Sequence, residues 1–440
     1  MRRFVGSYNT YAHICVSRGT VVDRNKNSSS FLGGGHSFRF NRRTFRVQKD
    51  MVKKWLCILL SLFVYTSVWA NKDSLSVAER NALQGFNDTI DRLDPDFVRV
   101  SLFVADPGDV MYSTLGHAAL HLECPTFGLD YVFTYESEDI PQRVLSFFAG
   151  RLKMGMMAIP SADYLQYYAG EQRRVMEYRL NLTPEQKMEL WRVLDEIVQE
   201  GMDKPYDYVE HGCAVSCLQS LQAVPGLKIN YNIPKEIRRM TIKDAFYAYS
   251  SPGWARFEII TIAGGVVDDS RYPQLKRLIA PQELLMILKQ SSVDGKPFIV
   301  GENELLSGIP REHTWFSPMV FALLVLLLAM ANFFFRQEYI SIFVLSIQTL
   351  MGCLITYLVC FSTLCATEWN WLIIPFNILP AICWHWRKYW ALPFMAIVTI
   401  WSIVMAGQMI WGHVLVDWPH IVLALAFAAV LLKQYLVKTK

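Results

Sequence analysis

The sequence is short of charge: Asp, Glu, Lys and Arg make up only 19% of its 440 residues. It also lacks a basic surplus over most of its length. Ten Lys and Arg against two acids in residues 1–50, with Lys53 and Lys54 behind them, more than account for the net charge of +4, and residues 71–440 are net −6. A chain of that sign has no broad basic face for nucleic acid. Cysteine is sparse in residues 71–312, which hold three (Cys124, Cys213 and Cys217), too few and odd in number for a disulfide scaffold. The same stretch has no apolar run of membrane length. What is abundant is apolar side chain, 52% of the whole, which excludes a disordered or fibrous chain.

The apolar residues are unevenly spread. Residues 1–50 are Arg-rich and of low complexity around Asn27–Gly35, and they read as a non-native N-terminal extension. From Met51 the pattern becomes that of a secretory signal peptide: Lys53 and Lys54, a short apolar stretch from Trp55 to Tyr65, then Val68-Trp69-Ala70 as a small-x-small cleavage site. Residues 71–312 are then expected outside the cytoplasm as one domain, large enough to bury a substantial core.

In that domain the pattern predicts a helix over 77–94 and strands over 97–104, 118–122, 130–135 and 174–180. Short helices are expected at 141–149 and 161–169. A longer one runs from Thr183, an N-cap followed by Pro184 and Gln186, to about Glu200. Further helices are expected at 213–221, 241–249 and 281–289. Mixed strand and helix signals of this kind make an α+β domain.

Residues 313–440 carry five apolar runs, near 315–335, 339–361, 369–386, 389–412 and 418–436, each about long enough to cross a bilayer as a helix. With residue 313 outside, Arg336, Arg387, Lys388, Lys433, Lys438 and Lys440 all fall on the cytoplasmic side. The outer loops hold Glu368 and Asp417 and no Lys or Arg, as the positive-inside rule requires. Trp315, Trp369, Trp371, Trp411 and Trp418 lie near the outer ends, where interfacial aromatics belong. No charge falls clearly inside a span, and His385, His413 and Asp417 read as interfacial polar residues.

Cys213 is the candidate for chemistry. It follows Gly212 and opens a helix, so unpaired backbone N–H groups favour its thiolate. His117 heads an alternating strand on which residues 117, 119, 121 and 123 share one face. A Cys at a helix start facing a His on a sheet is the papain-like arrangement, and His before Cys is its circularly permuted order. His121 or Glu136 could orient His117; of the two, His121 is the expected third group. Tyr206 or Tyr208 could donate to an oxyanion beside Gly212, or could equally be buried structural tyrosines. Cys213 and Cys217, at i and i+4, suit a mutual disulfide poorly; if a bridge forms, Cys124–Cys217 is expected. No cofactor is implied. A metal shell drawn from His117, His121, Glu123, His211 and Cys213 fails on reach, because four residues of strand separate the two strand histidines by about 13 Å.

Pro107-Gly108-Asp109, Tyr112-Ser113 and Gly116-His117 together resemble the signature of a bacterial envelope family whose exported domain is named after the N-terminal periplasmic part of Lnb-type proteins. Gly212-Cys213-Ala214 matches its second, Asn-Cys-Thr-like motif, without the Asn and Thr. Trp254-x-Arg256-Phe257, Gly265 with Asp268, and Pro281 with Leu284 are further matches. The resemblance implies a permuted papain-like, NlpC/P60-like fold over the exported domain, followed by an Lnb-like five-helix transmembrane domain. His117 and Cys213 are the positions that carry over.

Three functions fit this organisation. The first is a membrane-anchored thiol hydrolase or acyltransferase acting on an amide or ester of the envelope, in a peptide, a lipid or a lipoprotein. The second is a non-catalytic sensor or scaffold. The third is the exported accessory domain of a transporter-like membrane part. All three place the chain in the bacterial inner membrane with residues 71–312 periplasmic and the C-terminus cytoplasmic. A reporter fused after Lys440 should therefore report cytoplasm, and one fused near Glu368 the outside. A C-terminus found outside would overturn the span count.

Overall fold

The computed structural model describes residues 94, 96–206, 211–263, 278–309, 315–335, 338–364 and 417–438. The expected extension and signal peptide, nearly all of the helix expected over 77–94, Tyr208, and the third and fourth expected spans lie outside the described residues.

The described strands are β1 (Arg99–Ala105), β2 (His117–Cys124), β3 (Leu129–Ser137), β4 (Lys153–Pro160), β5 (Val175–Leu180), β6 (Lys204–Pro205), β7 (Ser292–Val293), β8 (Lys296–Pro297) and β9 (Ile299–Leu306). The helices are α1 (Val144–Phe148), α2 (Ser161–Gly170), α3 (Pro184–Glu200), α4 (Cys213–Gln222), α5 (Lys235–Arg239), α6 (Ile242–Tyr249), α7 (Trp254–Ala263), α8 (Pro281–Lys289), α9 (Pro318–Phe335), α10 (Glu338–Phe361) and α11 (Trp418–Lys438). The strands β4 and β9 and the helix α7 fall where the sequence pattern predicted no element.

Seven strands form one antiparallel sheet in the order β6-β4-β3-β2-β1-β5-β9. The central register pairs Ala105 with His117 and Ala119 with Thr134. Alternation then gives the sheet two dissimilar faces. One carries Leu102, Leu120 and Phe133 and is covered by α3 and α4, with Trp191 edge-on to Phe133 at 6.3 Å. The other carries Phe103, Ala119, Val132 and Val175 under Tyr164 and Tyr168 of α2. The second face also holds His117, His121, Thr134, Glu136 and Glu177, which makes it the polar one. Helix α3 starts at the expected capping box, Thr183 Oγ1 accepting from Gln186 N at 3.3 Å and Gln186 Oε1 from Thr183 N at 3.0 Å.

Among the described residues, α9 and α10 are long and apolar enough to cross a membrane by length and composition. They pack with α11 through Ala322, Val325, Val344, Leu345, Ala426 and Phe427. Lys433, one of the basic residues expected on the cytoplasmic side, meets the end of α9 and the start of α10. It is buried and donates to Asn332 Oδ1, while Asn332 Nδ2 donates to Ser341 Oγ at 2.7 Å. A lysine within a three-helix contact needs such acceptors, because an unpaired charge there would be costly.

Several contacts tie the sheet domain to these helices. Phe257 of α7 joins their apolar cluster, and Trp254 Nε1 donates to Phe316 O at 2.8 Å. At the far end of α10, Thr363 Oγ1 donates to Gly150 O at 2.8 Å. Gly150 has φ +66°, and a Cβ there would lie 2.3 Å from Leu364 N and 2.5 Å from the Thr363 carbonyl carbon. Gly150→Ala should therefore destabilise the folded chain by about 2–4 kcal/mol, read from denaturation of the detergent-solubilised protein. An unchanged midpoint would show that this contact is not made.

Candidate functional site

The site lies where β2 begins and α4 begins. The turn Pro107–Gly116 brings the chain from β1 back into β2. Gly116, at φ +89°, sits so close to Ala105 O that a Cβ would meet it at 2.8 Å, a conformation glycine alone adopts without strain. His117 follows as the first residue of β2. Gly212 is the N-cap of α4, its carbonyl accepting from Ser216 N at 2.9 Å, and Cys213 is the first helical residue.

The Cys213 thiol lies beside the His117 imidazole, close enough for each to shift the other's ionisation, and the Ala118 backbone N–H also favours the thiolate. The other ring nitrogen of His117 is committed. Nε2 lies 2.7 Å from Thr134 Oγ1 and 3.3 Å from Glu136 Oε1, and Thr134 Oγ1 donates to Glu136 Oε1 at 2.8 Å. Because the threonine proton goes to the carboxylate, its oxygen accepts from Nε2–H. That fixes the tautomer and leaves Nδ1 for the thiol. Tyr168 of α2 stacks beside the ring at 6.4 Å between centroids.

The electrostatics follow from this geometry. Burial alone would push the His117 pKa down. The negative Cys213 and Glu136 beside it outweigh burial and raise it to about 10. Burial works against the Cys213 thiolate, but the His117 charge and hydrogen bond, with the Ala118 N–H, bring the thiol pKa below its ordinary value. Glu136 is held below the usual carboxylate range by His117 and by Thr134 despite its burial. The three groups thus favour a thiolate, an imidazolium and a carboxylate in a row. Cys217, one turn on, is buried, and burial followed by the Cys213 charge pushes its thiol well above the ordinary value. It is reduced, so the disulfide expected between Cys124 and Cys217 is not formed.

His121 is not brought to this group. Its Nε2 pairs with Asp130 Oδ1 at 2.7 Å, its Nδ1 lies 3.8 Å from Glu177 Oε1, and its ring stacks on Phe103 at 4.4 Å. Ser101 Oγ donates to the same Glu177 oxygen at 2.8 Å. The hydrogen bond to Asp130 and the nearby Glu177 carboxylate raise the His121 pKa against its burial, and the neighbouring His121 lowers Glu177 to about 2. His121 and His117 share a face but are separated by two pleat repeats, so each has its own acids. Glu136, acting with Thr134, takes the place expected for His121. Thr134 was missed from sequence, although Thr134 and Glu136 are polar i, i+2 positions on one face of β3. Of the oxyanion candidates, Gly212 is at the site and Tyr206 packs against Phe147 at 5.5 Å.

These two histidines should separate in experiment. His117→Ala should slow alkylation of Cys213 about tenfold or more at pH 6.5, with recovery near pH 9.5, where a thiol ionises unaided. His121→Gln should leave that rate within about twofold. Glu177→Gln should cost about 2 kcal/mol of stability near pH 6. A carboxylate with a depressed folded-state pKa stabilises above its ordinary value of 4.5 and loses that contribution as pH falls toward 2, so the difference should close in acid. Equal alkylation rates for the two histidine variants would contradict the assignment.

Residues 86–243 match the family model described as Lnb N-terminal periplasmic domain. No curated protein and no solved structure gives a match. The matched stretch contains His117, Thr134, Glu136 and Cys213, the four residues of the site, and ends inside α6. Over this part the chain is similar to that periplasmic domain, and with the apolar helices that follow it the similarity points to a membrane-associated envelope protein.

Proposed function

We propose that the chain is a membrane-anchored thiol hydrolase or acyltransferase of permuted papain-like type, acting on an amide or ester in the cell envelope. The observation that carries this reading is the alignment of Cys213, His117, Thr134 and Glu136, with the thiol at a helix N-terminus and the imidazole held in one tautomer. In this reading residues 51–70 are the signal peptide, residues 71–312 are periplasmic, and residues 313–440 cross the inner membrane five times.

The chemistry follows from the charges. The Cys213 thiolate attacks the carbonyl carbon and forms a C–S bond. The oxyanion so created is met by backbone N–H groups in the first turn of α4 near Gly212. Its collapse breaks the C–N or C–O bond, and the imidazolium proton of His117 goes to the departing nitrogen or oxygen. Neutral His117 then takes a proton from water in a hydrolase, or from an amine or hydroxyl in an acyltransferase. The deprotonated atom attacks the thioester and releases Cys213 as the thiolate. Glu136 acts through Thr134 to stabilise the imidazolium at both stages.

The test is the covalent intermediate. The full-length protein, purified from cells and examined by intact mass, should carry an acyl adduct on Cys213 that neutral hydroxylamine removes. His117→Ala should change the adduct's level, and Cys213→Ala should abolish it. Wild type and His117→Ala both without adduct after incubation with an envelope extract would overturn the proposal in favour of the non-catalytic reading.

A further inference from the structure

A cavity of about 380 Å³ opens beside the Asp106–Pro107 turn that follows β1. Its lining includes three guanidinium groups, Arg173, Arg174 and Arg256, and one carboxylate, Asp106. Arg173 is unusual. Its side chain is only 4% exposed and its guanidinium lies 4.7 Å over the Tyr168 ring, yet one N–H group lacks an acceptor among the described residues. Nε donates to Asp106 O at 2.7 Å and Nη1 to Glu171 Oε2 at 2.8 Å, and Nη2 is buried with no hydrogen-bond partner. A buried guanidinium N–H left unmade is costly and marks a place where an acceptor belongs.

Arg256 is the second signal. Nε donates to Ser250 Oγ at 3.0 Å and Nη2 to Ser250 O at 2.6 Å, and the guanidinium lies 5.1 Å over the Tyr247 ring. Neither of these bonds goes to a carboxylate, and among the described residues no ion pair of Arg256 is found. Arg174 donates to Glu304 at 2.7 Å. Glu171 and Glu304, the carboxylates paired with Arg173 and Arg174, are not among the residues that line the cavity. The third signal is in the backbone. Gln172, on the rim, has φ +55°, a left-handed conformation that costs a non-glycine residue of order 1–3 kcal/mol. Ile309 N donates to Gln172 O at 3.1 Å and holds it there.

We propose that this cavity is a binding site for a phosphate group, with Arg173 and Arg256 as its principal donors. Guanidinium forks match the oxygens of phosphate. Forks arriving from two separate segments, the start of β5 and α7, suit a group with three or four acceptor oxygens better than a two-oxygen carboxylate. The cavity wall from Ser250 to Arg256 runs directly into α7, which docks on α9, α10 and α11, and Gly308–Ile309 leads toward α9. A phosphate carried by a lipid headgroup and a soluble phosphate share the chemistry, and the experiment separates them. The proposal is independent of acyl chemistry at Cys213, because its test reads binding and not turnover.

The full chain in maltoside micelles and phosphate-free buffer is titrated with inorganic phosphate, glycerol 3-phosphate and a short-chain phosphatidylglycerol, with calorimetry as the readout. Saturable binding of at least one is expected, weakened about tenfold or more in Arg256→Gln. Binding confined to the lipid assigns a headgroup site; equal binding of all three assigns a site for phosphate itself. Arg173→Gln should lose binding as well. Since that buried change could unfold the domain, the half-buried Arg256 variant decides. Absence of saturable binding to all three probes, or an affinity unchanged by Arg256→Gln, would overturn the proposal.

Discussion

The juxtaposition of Cys213 and His117, which favours an ion pair between them, is the constraint on which the site depends. Two opposite charges taken from water into a half-buried site lose hydration, and their mutual attraction does not recover that loss without further hydrogen bonds. Each charge here has them. The thiolate has the Ala118 N–H and the open end of α4; the imidazolium has Thr134, and behind it Glu136. Those groups come from three parts of the chain, the start of β2, the middle of β3 and the start of α4. The register of β2 against β3 puts Thr134 opposite Ala119 and within reach of the ring two residues earlier. A slip of one residue would carry Thr134 and Glu136 to the face under α3 and α4 and leave the imidazolium without a partner.

The same sheet face bears two acid–histidine groups with opposite consequences. Around His121 both nitrogens face carboxylates and the ring lies against Phe103, so the group contributes charge pairing and packing to the sheet. Around His117 one nitrogen is locked and the other faces a nucleophile. The distinction is where each sits on β2. His121 is in mid-strand among paired neighbours. His117 is at the strand's first residue, where the sheet ends and a helix terminus can approach. Contacts of α7 and of Gly150 with the apolar helices then hold this end of the domain against the membrane part.

Much of this was legible in the sequence because it rests on local rules. The alternation of 117, 119, 121 and 123, the capping box at Thr183 and the helix opening at Cys213 are short-range patterns, and each appears with nearly the expected bounds. The third group was not legible. Choosing between His121 and Glu136 requires the register of β2 on β3, which depends on the whole sheet, and a strand-face argument sees only that both are near. Strands β4 and β9 were missed for a related reason. Lys153–Pro160 has a Met-rich pattern without alternation, and Ile299–Leu306 carries Glu302, Asn303 and Glu304 on an edge strand that only the pairing with β5 makes regular. The acceptor of Lys433, Asn332, itself bonded to Ser341, becomes visible only once α9 and α10 pack beside α11.

The charge state of Cys213 tests the account most directly. A thiolate absorbs near 240 nm and a thiol does not, so the difference in absorbance between wild type and Cys213→Ala, followed from about pH 4 to pH 10, reports ionisation at this one sulfur. The geometry predicts that the wild-type thiolate appears at a lower pH than an ordinary thiol's and that His117→Ala moves its appearance upward toward the ordinary thiol range. A wild-type thiolate that forms only near pH 9, at the same pH as in His117→Ala, would contradict the ion pair and with it the catalytic reading of the site.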